Sequence, residues 1–111
     1  MGNSKIPCNK WLLYGTEGTT GTALAIPSEV YNANEILVVC TGVQCLLEMN
    51  NIASDSNGNR TGQSGSYAPN IQYYARLTVS YQSSDHTITV SFSNYNGIQT
   101  SVPFKVYYRY F

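Results

Sequence analysis

Apolar residues recur at every second position along most of the chain. In "TITVSFS" they are Ile88, Val90 and Phe92, with hydroxyl residues between them. In "ARLTVSY" they are Leu77, Val79 and Tyr81. Period two places alternate side chains on opposite faces of a strand. Further strands are predicted at "KWLLYG", "TALAIP", "EILVVC", "VQCLLEM" and "VPFKVYYRYF". "EILVVC" is almost continuously apolar, so burial on both faces is expected. Turn-rich stretches separate the strands: "GTEGTTG", "TG", "QSSDH" and "NYNGIQTS". The best helical candidate, "PSEVYNANEIL", carries Pro27, Asn32 and Asn34, which favour a loop with at most one helical turn. The pattern predicts an all-β fold, an antiparallel β-sandwich, jelly-roll-like, with about seven to eight strands. Residues 1–9 read as an N-terminal tail or linker and residues 10–111 as a single domain. Residues 50–70 are polar and rich in Gly, Ser and Asn, and they read as one long loop, dispensable to the fold.

The last predicted strand breaks the half-wet pattern. Phe104, Val106, Tyr108 and Tyr110 fall on one face, while Lys105, Tyr107, Arg109 and Phe111 fall on the other. Both faces carry large apolar or amphipathic groups, so something must cover the second. The expected core holds Trp11, Leu13, Leu24, Ile26, Ile36, Val38, Leu46, Leu77, Val79, Ile88, Val90, Phe92 and Val106.

Composition narrows the function classes. Charged residues are 11% of the 111 and the formal net charge is zero. Nothing in that balance attracts nucleic acid or an acidic membrane. No apolar run is long enough for a membrane span, so no membrane insertion is expected. Ten tyrosines suit half-wet positions and subunit contacts.

Candidate chemistry is sparse. The one histidine, His86, follows Asp85 in a turn and is expected to face water rather than to serve a triad. The carboxylates form no marked pair, although Glu35 and Glu48 are expected to face each other across a hairpin. "DSNGNR" fails as a calcium loop, because Arg60 stands where the sixth-position glycine belongs. No cofactor and no metal site is expected, and the chain reads as a non-enzyme. Of the cysteines, Cys8 lies in the tail. With a turn at Gly42–Val43, Cys40 would sit opposite Cys45, and a reduced pair is expected for a protein made in a cytoplasm.

"KWLLYGTEGTTGTALAIP" resembles the start of the C-terminal domains of phage and prophage tail-fibre or receptor-binding proteins. "NEILVVC" is similar to that family's next strand and "FKVYYRYF" to its closing strand. The likeness runs from Lys10 to Phe111, and residues 50–70 lie outside its pattern. The resemblance implies a homotrimer at a fibre tip in the virion that binds a bacterial surface without catalysis. A neighbouring copy would then cover the second face of the last strand, through Tyr107, Arg109 and Phe111. For a surface saccharide, the candidate contacts read from the residues are Asp55, Asn57, Asn59, Arg60 and Tyr67 in the long loop, and Tyr95. The rivals are a monomeric carbohydrate-binding module of a larger enzyme, and a particle decoration or baseplate protein without a host ligand.

Overall fold

The computed structural model describes residues 10–49, 60–66, 75–94 and 96–111, with the backbone alone described for 60–66. Two antiparallel sheets face each other across one apolar core. Sheet I follows the order β1 (Leu12–Leu13), β10 (Pro103–Arg109), β4 (Glu35–Cys40), β5 (Val43–Glu48). A short strand, β2 (Gly18–Thr19), continues β1 along β10. Sheet II follows the order β3 (Leu24–Ala25), β8 (Thr87–Ser93), β7 (Ala75–Gln82), β6 (Arg60–Ser66). Strand β9 (Gln99–Thr100) pairs with the far end of β8. Among the described residues the helical content is one turn, α1 (Ser28–Tyr31), which follows the Pro27 cap.

The alternation read from the sequence supplies the core. On β7, Leu77 and Val79 are buried, and on β8 Ile88, Val90 and Phe92 meet them. Sheet I contributes Ile36, Val38, Phe104 and Val106. The N-terminal strand belongs to both sheets. It runs beside β10 as far as Thr19, then turns at Gly21 (φ +89°), whose N–H donates to the Val90 carbonyl of sheet II at 2.8 Å. A positive φ at such a corner is open to glycine at little cost.

Two expectations fail at the β4–β5 hairpin. The two-residue turn is Thr41–Gly42, with φ of 45° and 83°, rather than Gly42–Val43. Positive φ at both central residues matches the right-handed strand twist. Cys40 therefore pairs with Val43, and Cys45 pairs with Val38. The two thiols are diagonal neighbours on the buried face, and both are free. Adjacent leucines left the face of β5 ambiguous, and this turn resolves it: Leu47 is buried and Leu46 is exposed. Leu13 is also exposed, while Trp11 and Leu24 are half-buried.

The long-loop expectation also fails. Within residues 50–70, Arg60–Ser66 forms a seven-residue strand paired with β7. Its register aligns Gly62 with Val79, Ser64 with Leu77 and Ser66 with Ala75. The residues of β6 opposite Val79, Leu77 and Ala75 are glycine and serine, and Arg60 stands opposite Tyr81, so the strand shows no apolar period to read.

Candidate functional site

Sheet I has an apolar outer face. Across the strands, one row runs Leu13, Tyr107, Leu37, Leu46. The next holds Lys105, Val39 and Gln44. Leu13 is 54% exposed and Leu46 41%, which is high for leucines on a sheet. Trp11, Leu37, Val39, Gln44 and Tyr107 line a cleft of about 260 Å³ in the same face.

A third row, Arg109, Glu35 and Glu48, closes one end of the face. The two glutamates do oppose each other across the hairpin, as expected. Arg109 Nε donates to Glu35 Oε1 at 2.6 Å, which offsets the like-charge pairing. The Arg109 guanidinium also lies 4.3 Å from the Trp11 ring centroid and 5.6 Å from that of Phe111. An aromatic face attracts a guanidinium at such distances, so the rings help hold Arg109 beside the carboxylate.

The two faces of the last strand are thereby explained. Phe104, Val106 and Tyr110 are buried in the sandwich, and Tyr108 packs against the core. The Tyr110 hydroxyl donates to the Glu29 carbonyl of α1. On the outer side, Trp11 and the ion pair engage Arg109, and Tyr107 stays half-buried. Phe111 is 60% exposed.

No family model, no curated protein and no solved structure matches the chain.

Of the residues expected to meet a ligand, Asp55, Asn57, Asn59, Tyr67 and Tyr95 lie outside the described residues. Arg60 opens β6 rather than extending a loop. Of the residues expected at a subunit contact, Tyr107 and Arg109 share the outer face of sheet I, and Phe111, past the end of β10, has its ring 5.6 Å from the Arg109 guanidinium.

His86 is not presented freely to water. Its ring stacks on Tyr31 at 3.8 Å with an interplanar angle of 7°. Its Nδ1 shares a hydrogen bond of 2.8 Å with the Tyr81 hydroxyl. The backbone adopts φ +56° to fold the ring inward, a conformation that few non-glycine residues adopt. Asp85 accepts a hydrogen bond from the Thr87 hydroxyl at 2.8 Å. His86 thus ties the β7–β8 turn to α1. Among the described residues, no group of three or more His, Cys, Asp and Glu is placed to hold a metal. No described helix is long and apolar enough to cross a membrane.

A polar groove escaped the sequence reading. It lies where β8 changes partner, between the Thr20–Thr22 turn and β9. Buried Thr20 joins its walls: its Oγ1 donates to the Thr100 carbonyl at 2.8 Å and accepts from the Val102 N–H at 2.9 Å. Ser and Thr in turns are ordinary, so only the contact across eighty residues reveals the groove.

Proposed function

We propose that this domain is a non-enzymatic structural part of a phage or prophage particle. It forms the tip or receptor-binding head of a tail fibre, assembles as a homotrimer, and engages a saccharide of the bacterial surface. The apolar outer face of sheet I carries the reading. Water-exposed Leu13 and Leu46, with Leu37, Val39 and Tyr107 between them, form a contiguous patch of the kind that marks interfaces. Neutral overall charge removes long-range repulsion between copies. The resemblance of the opening and closing strands to fibre-tip domains supplies the particle and the three-fold order.

The assembly is tested by light scattering on the purified domain. The expected mass is three times the 12.2 kDa of one chain. A single-chain mass at micromolar concentration overturns the trimer and favours a monomeric module. Adsorption of the trimer to bacterial cells, competed by extracted surface glycan, separates a receptor-binding head from a decoration protein.

A further inference from the structure

The outer face of sheet II is paved with hydroxyl and amide groups. Outward positions on β8 are Thr87, Thr89, Ser91 and Ser93, opposite Gln82, Ser80, Thr78 and Arg76 on β7. Gln82 knits the first rows together. Its Nε2 donates to Ser80 Oγ at 2.7 Å, and the Thr89 hydroxyl donates to its Oε1 at 3.1 Å. The knitting stops at Ser91, whose hydroxyl has no hydrogen-bond partner among the described residues.

The groove opens beside Ser91, with a volume of about 380 Å³. That volume lies in the range of small-ligand sites and suits one or two sugar rings. The described residues that line it are uncharged, among them Thr22, Ser91, Gln99 and Ser101. Thr22 and Gln99, like Ser91, hold no side-chain hydrogen bond among the described residues. Ser101 Oγ reaches only the Thr20 carbonyl, at 3.4 Å. Thr100 pairs with inward-facing Phe92, and its Oγ1 is buried on that side with no partner among the described residues. The two walls are tied by Thr20, so their spacing is set before a ligand arrives.

We infer that this groove binds a neutral saccharide, with Thr22, Ser91, Gln99 and Ser101 as its contacts. Hydroxyl and primary amide groups both donate and accept, and so do the hydroxyls of a sugar. Among the described residues, no charged side chain lines the groove to select an ion. The inference rests on the proposed function only for the source of the sugar, a bacterial surface; the chemistry of the groove is independent of it.

The test is an amide-resolved magnetic resonance titration of the ¹⁵N-labelled chain. The probes are the methyl glycosides of glucose, galactose, N-acetylglucosamine and rhamnose. At least one is expected to shift the Gly21, Thr22, Ser91, Gln99 and Ser101 signals saturably, with a Kd of about 1–10 mM, and to leave Leu13 and Leu46 unmoved. Ser91→Trp fills the groove from an outward position and should weaken binding about tenfold or more. Ser91→Ala removes one hydroxyl, should weaken binding several-fold, and serves if the tryptophan variant fails to fold. Absence of saturable shifts with every probe up to about 100 mM, or binding unchanged in both variants, overturns the site. Groove shifts from a chain that neither trimerises nor adsorbs to cells sink the fibre-tip reading alone. An adsorbing trimer with still groove amides sinks the groove alone.

Discussion

Gly18 shows how one missing side chain sets a strand position. It pairs with Phe104, and a Cβ built there would lie 2.2 Å from the Phe104 Cζ. Phe104 is fully buried, so the ring has nowhere to withdraw. Gly18→Ala is expected to destabilise the fold by about 1–3 kcal/mol, as overpacking does. Urea unfolding measures it, and adding Phe104→Leu should restore part of the loss. The thiols give a pH dependence. Burial pushes the Cys45 thiol up to about 11 and also raises Cys40. Unfolded thiols ionise near pH 8.5, roughly, so the folded state holds the proton more tightly. Their contribution is intact below that pH and is lost as pH rises toward about 11. The urea midpoint should therefore fall between about pH 8 and pH 10, and less so in Cys45→Val, which removes the more strongly shifted of the two thiols.

The elements divide by whether their faces differ. Strands β7 and β8 each have one apolar and one hydroxyl face, so period two located both. Strand β6 has no apolar residue at all, and its strand state comes from backbone pairing with seven residues of β7. Deleting residues 54–66 and joining the ends with glycines would strip this strand and leave β7 a bare edge. The shortened chain should unfold at a lower temperature and aggregate more readily, because an unpaired edge invites intermolecular pairing. A thermal midpoint and light scattering equal to those of the parent would show that β6 adds nothing.

At the scale of the whole molecule, the two outer faces are chemically unlike. Sheet I turns leucine, valine and aromatic groups outward, and sheet II turns serine, threonine and glutamine outward. In the proposed trimer the first face meets neighbouring copies and the second faces the target. Leu13→Glu changes a side chain that is already exposed, so the monomer should fold normally. In the assembly it would leave an unpaired buried charge, which is costly. Light scattering should report dissociation to single chains while circular dichroism stays unchanged. Tyr107→Glu should act in the same direction. A trimer that persists in both variants would mean that sheet I's outer face is not the contact.

Alternation along the chain determined the sandwich and most of the inward residues of β7, β8 and β10, because side-chain direction in a strand is local geometry. It also exposed the two-sided character of "FKVYYRYF" and the residues Tyr107, Arg109 and Phe111 on its outer side. Tertiary structure alone decided which of Leu46 and Leu47 is buried, since a turn at Thr41–Gly42 sets the register for the whole hairpin. It alone turned His86 inward onto Tyr31, and it alone brought Trp11 beneath Arg109. The polar groove belongs to the same class. Its walls meet through hydrogen bonds from Thr20 to Thr100 and Val102, and no local pattern encodes a contact between segments that far apart in the chain.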